Sequence, residues 1–224
     1  MLTREQIAAF KRDGALVLSD FIPQSTVEKW RETFWSAIEA SPDDPDSWPG
    51  LYAMFDPGRQ PAQKNVPFRL SDYPPMVEIA DQLMGEGIWR RGLRPPNPDF
   101  AETPEWKEDD LLQAKWPEGS DKPWTPPTGG HVEGGNTNKG GWKGGFMLGA
   151  ITCLEDVPHG GGAFYYWPQS HVAIHSFFCE NPEFINPNAF PHPFNTDTET
   201  LDRETPTGYR GQPREWLAKA GDVM

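Results

Sequence analysis

The chain has 224 residues and a mass of 25.2 kDa, enough for one sizeable domain able to bury a polar site. It is 36% hydrophobic and 12% aromatic with ten Trp, too apolar for a disordered chain, and its net charge of −13 disfavours a nucleic-acid or anionic-membrane partner. No apolar run reaches membrane-spanning length and the N-terminus lacks an apolar signal core, so the expected location is cytoplasmic. Cys153 and Cys179 lie in apolar contexts and read as reduced core residues rather than a disulfide framework.

The first elements are helical. Thr3 followed by Gln6 forms a capping box for a helix over 3–12, with Leu2, Ile7 and Phe10 on its apolar face and Gly14 as its stop. ALVLSDF then reads as a short strand. A second helix over 25–40, capped by Ser25 or Thr26, places Val27, Trp30, Phe34 and Ile38 on one stripe. Turns and loops with one strand fill 41–75, MVEIADQLMG is a third helix ending at Gly85, and the proline-rich, acidic segment 92–110 is a surface loop.

The second half changes character. LLQAKW, HVEGG, GFMLGAITCLED and GGAFYYWP are short strand-like pieces between Gly, Pro and charged residues, the pattern of an all-β sandwich or barrel. The expected fold class is therefore mainly β with flanking α: one domain over 1–224, helical over 1–90, with core strands from about residue 111 to 178. The segment 179–207 reads as a polar excursion, and GDVM at 221–224 starts like a further strand.

Chemistry points to GGHVEGG at 129–135. In an extended strand residues i and i+2 share a face, so His131 and Glu133 would present a nitrogen and an oxygen together. That is two thirds of the facial triad of a non-haem iron(II) oxygenase. Asp and Glu are 33 of 224 residues, so one His-x-carboxylate pair among five histidines is also a common accident. Each other histidine has a bland reading: His159 in a polar turn, His192 in a loop, and His171 with His175 in WPQSHVAIH, where Pro168 and β-branched residues argue against a helical metal pair. Lys115 in LLQAKW reads either as an outward lysine with its stem along apolar surface or as a carboxylate partner. Phosphate-loop, dinucleotide, HExxH, CxxC and GxSxG patterns do not occur in the sequence.

Three blocks in order resemble the phytanoyl-CoA dioxygenase family: LTREQIAAFKRDGALVLSDFIPQSTVEKWRETF, LLQAKWPEG followed by GGHVEGG, and LEDVPHGGGAFYYWPQSH. They are spread between residues 2 and 171 and make up 67 of those 170 residues. The resemblance implies a double-stranded β-helix core (jelly-roll, cupin-like) that binds Fe(II) and takes 2-oxoglutarate as cosubstrate with O2. It implies hydroxylation of a small or medium organic substrate. His131 and Glu133 match the first two metal ligands, Glu133 standing where Asp is usual. Lys115 matches a position near the 2-oxoglutarate site, and His171 matches a structural position. The family's third ligand, a distal His, and its 2-oxoglutarate-binding Arg follow a GDvv strand. The expectation is that both lie beyond Met224, that this domain is incomplete, and that residues 1–224 alone are inactive or weakly active. The alternative reading is a non-catalytic jelly-roll protein that binds a ligand or partner.

Overall fold

The computed structural model describes residues 1–48, 52–55, 68–86, 112–116, 125, 148–180 and 211–224. Helix α1, Arg4–Asp13, begins on the full capping box: the Thr3 hydroxyl accepts from Gln6 N–H, and the Gln6 side chain accepts from Thr3 N–H. It ends at Gly14, whose φ of 75° is left-handed and whose N–H donates to the Phe10 carbonyl at 2.8 Å. Helix α2, Gln24–Ala37, starts after Pro23 rather than on a Ser25 or Thr26 cap; the Pro23 carbonyl accepts from Thr26 and Val27. Helix α3, Pro74–Met84, has proline at its first position, where no intrahelical N–H is lost. Helix α4 runs over Ser170–Glu180.

Among the described residues strand content is small. β1, Tyr52–Phe55, pairs antiparallel with β2, Leu112–Lys115, and β3, Phe164–Tyr166, pairs antiparallel with β4, Arg214–Trp216. Beyond these, Val223 makes isolated bridges to both Leu18 and Thr152. Residues 218–224 therefore lie between two other segments. On one side Leu18 and Val223 exchange both hydrogen bonds, at 2.7 and 3.0 Å, and Ile22 N–H donates to the Gly221 carbonyl. On the other, Ile151 and Met224 exchange both, Gly221 N–H donates to Cys153 and Val157 N–H donates to Ala218.

Side chains complete this layer where backbone pairing stops. Asp222 is buried, and its two carboxylate oxygens accept from the Asp20 and Lys219 N–H groups, each at 2.9 Å. Gln24 Nε2 donates to the Ala220 carbonyl at 2.7 Å, and Asp156 accepts from Ala220 N–H and from Lys219 Nζ. At Gly221, with φ 94°, a Cβ would stand 2.6 Å from the Ile22 carbonyl oxygen, so the close approach of the two segments depends on glycine.

The main core packs on this layer. Leu2, Ile22, Val27, Met76, Ile79, Ala220 and Val223 are buried together, with Trp30, Tyr73, Leu83 and Leu154 among the residues around them. Helix α2 joins this core to a second one. Val27 faces the first, whereas Phe34 anchors the second with Trp35, Ile38, Phe68, Leu112, Ala114 and Trp116. The predicted stripe is thus real, and its two halves serve different clusters. Trp30 stacks on Phe68 at 4.9 Å, and Trp116 stacks on both Trp35 and Trp48. Gln82 closes the N-terminus onto α3 by accepting from Leu2 N–H and donating to the Leu2 carbonyl.

The expected mainly-β, double-stranded β-helix fold is overturned. The described residues form four α-helices and two two-stranded ladders. Of the segment 111–178, predicted to supply core strands, the described part contributes β2, β3 and helix α4. ALVLSDF and AITCLED are bridged at single points, Leu18 and Thr152, and the first turns away at Asp20, whose φ is 52°. WPQSHVAIH is helical after all: Pro168 precedes the first turn, where it breaks no helical bond.

Asp222→Ala takes the acceptor from two part-buried N–H groups, and the expected cost is about 1–3 kcal/mol of stability. Asp222→Asn recovers at most half of this, since one of the two N–H groups then meets an amide NH2. Urea unfolding of the three proteins measures it; equal midpoints would show that solvent replaces the carboxylate.

Candidate functional site

His131, Glu133 and His192 lie outside the described residues, as does the Lys115 side chain; Lys115 itself stands opposite Tyr52 in the β1–β2 ladder. The other three histidines are described: His159 in a turn, His171 and His175 on helix α4.

His159 sits in the turn before β3. Its Nδ1 is 2.5 Å from Glu215 Oε2, while Gly160 N–H donates to Glu215 Oε1 at 3.0 Å. Glu215 belongs to β4, is largely enclosed and also interacts with the Tyr165 hydroxyl on β3. The β3–β4 register places Tyr165 opposite Glu215, and the glycine-rich turn brings His159 and Gly160 around to the same carboxylate. Desolvation works against ionisation of Glu215, but the Gly160 N–H, His159 and Tyr165 outweigh it and hold the carboxyl below its ordinary value. Burial first, and then the neighbouring Glu215, push the Tyr165 phenol up to about 12, so it remains a donor at neutral pH. Chemically this is an imidazole oriented by a carboxylate, with its exposed ring fixed at Nδ1. Its structural effect is a clamp between the 158–162 turn and β4.

His171 opens α4 and docks it on the end of α1. Its Nε2 hydrogen-bonds the Lys11 carbonyl at 3.1 Å, and Gln169 N–H donates to the Asp13 carbonyl at 2.8 Å. The ring lies where a Cβ on Gly14 would be, so glycine there serves both the left-handed turn and this contact. The structural role implied for His171 thus has a concrete form, at a helix junction rather than at the end of a core strand. His175 lies one turn further along α4, against Cys179.

Both cysteines are free thiols, but they differ from the expected pair of core residues. Cys153 is half-buried and Cys179 is exposed. Among the described residues no three of His, Cys, Asp and Glu converge as a metal cage. Sequence reasoning missed the His159–Glu215 pair because its members are 56 residues apart and REW carries no motif. Among the described residues, no helix is long and apolar enough to cross a membrane. Comparison of the chain with protein families, curated proteins and solved structures gives no match.

Since the native site lowers the Glu215 pKa, its contribution is fully present above the unfolded value and drains as pH falls through the lowered native value. Asp156 acts in the same direction, through Lys219 and then the Ala220 N–H. Stability should therefore fall on acidification below the ordinary glutamate value of 4.5. Glu215→Gln should flatten this limb. Thermal midpoints from pH 7 to 3 test it, and parallel curves for the two proteins would remove Glu215 from the acid response.

Proposed function

We propose that this chain is an Fe(II)- and 2-oxoglutarate-dependent oxygenase that hydroxylates a small or medium organic substrate. The corrected fold withdraws the jelly-roll as support, so the reading stands on the sequence blocks and the donor set. The observation that carries it is how the first and third blocks and the GDVM segment meet in space. Arg31 of the first block donates to the Leu154 carbonyl at 2.6 Å and pairs with Glu155 at 2.7 Å, both in the third. Asp13 and Lys11 hold Gln169 and His171, and Gly221–Met224 lies against Leu18, Ile22 and Cys153. Segments that resemble one family in sequence order thus form one packed unit.

The donor set fits in kind. His131 would supply an imidazole nitrogen and Glu133 a carboxylate oxygen, both suited to ferrous iron. Bound Fe(II) would supply O2 activation coupled to oxidation of 2-oxoglutarate to succinate. Lys115 is the candidate to neutralise a cosubstrate carboxylate. His159, His171 and His175 already engage Glu215, the Lys11 carbonyl and Cys179. Those engagements favour the second reading, a ligand-binding or interaction protein without catalysis.

Two identified ligands hold a metal weakly, so the expected outcome is low-affinity Fe(II) binding that needs both residues. Anaerobic titration with Fe(II) and 2-oxoglutarate, followed by the metal-to-ligand charge-transfer band, measures this in the wild type, His131→Ala and Glu133→Ala. A band lost in both variants supports the site. A band indifferent to both substitutions, or none at any Fe(II) concentration, would sink the assignment. Succinate release on admitting O2 separates the oxygenase from the non-catalytic reading.

A further inference from the structure

Helix α4 carries His171, His175 and Cys179 at successive four-residue steps, which an α-helix places near one another on its surface. His171 is occupied at the α1 junction. His175 and Cys179 are both exposed, and the Cys179 sulfur lies 3.7 Å from each of the two ring nitrogens of His175.

That distance has a chemical meaning. A tetrahedral ion bonded to sulfur at about 2.3 Å and to nitrogen at about 2.0–2.1 Å needs its two donor atoms about 3.6 Å apart. The helix holds the sulfur within this reach of the ring, equidistant from both nitrogens. A turn of the imidazole about its side-chain bonds is therefore needed to aim one nitrogen at a shared ion.

We propose that His175 and Cys179 form a two-donor site on the exposed face of α4 for a borderline or soft divalent metal ion of the Zn2+ or Cd2+ type. On binding, the S–H bond breaks, sulfur becomes a thiolate ligand and the proton passes to solvent. No electron transfer is involved, and water completes the coordination. The donor pair selects against Mg2+ and Ca2+, which take oxygen ligands.

The sequence offers one competing thiol, Cys153. Burial first, and then the charge of Asp222, push its thiol up to about 11, so it stays protonated at neutral pH. Metal binding is assigned to Cys179 because it is the sulfur with a histidine ring beside it. The site is also independent of His131 and Glu133, since a sulfur-to-metal charge-transfer band reports only on thiolate ligands.

The test is titration of the reduced 224-residue protein with Cd2+, read by the ultraviolet cadmium–thiolate band and by proton release. The expected result is saturation at one equivalent, with one proton released, kept in Cys153→Ala and lost in Cys179→Ser. His175→Gln should weaken binding about tenfold or more, because it removes the second donor held at high effective concentration. Both α4 positions are exposed, and circular dichroism checks that the variants keep their helix content. A band that follows Cys153, or an affinity unchanged in His175→Gln, would overturn the proposal, as would the absence of a band in the wild type.

Discussion

One buried carboxylate constrains much of this fold. Asp222 takes two backbone N–H groups, one from the turn at Asp20 and one from Lys219. Burying an ionisable group among apolar side chains is unfavourable unless its lone pairs are used, and here both oxygens are. The geometry they impose fixes where 218–224 lies relative to 18–22. With that segment placed, Val223 and Ala220 reach the core beside Ile22 and Val27, and residues 151–157 have an edge to meet.

The same device recurs at smaller scale. Asp156, Glu215, Gln24 and Gln82 each satisfy a backbone group that a regular strand or helix would otherwise have to serve. A chain with 25 prolines and 22 glycines breaks its ladders often, and side-chain caps replace the missing partners. Described histidines are part of this economy: His159 steadies a glycine-rich turn and His171 seats one helix on another. Residues with the chemistry of ligands have been given structural work, and position alone does not separate the two roles.

What was legible in the sequence was local. The Thr3–Gln6 box, the Gly14 stop, the α2 stripe and α3 all rest on contacts within a few residues, and they stand where the pattern put them. The second half reads as β-rich because short apolar runs between glycines look alike whether they zip into ladders or touch at one bridge. Helix α4 does not stand out because Pro168 reads as a breaker although it precedes the first turn. Spacing singled out His131 and Glu133, which lie outside the described residues. The His175–Cys179 pairing becomes visible only once the segment is known to be helical.

The sandwiching of 218–224 has a kinetic consequence. Its bonds join residues as far apart as Asp20 and Asp222, a separation of 202, and Gln24 and Ala220, a separation of 196. Closing such a loop loses chain entropy before any contact across it forms. Helices α1 to α3 can begin from neighbouring residues, whereas the layer they pack on has to wait for residues 218–224 to arrive. A topology of this kind folds slowly for its size. During that wait Ile22, Val27 and Ile79 have no cover from Val223 and Ala220, and the half-formed protein presents to its surroundings the face that the finished one hides.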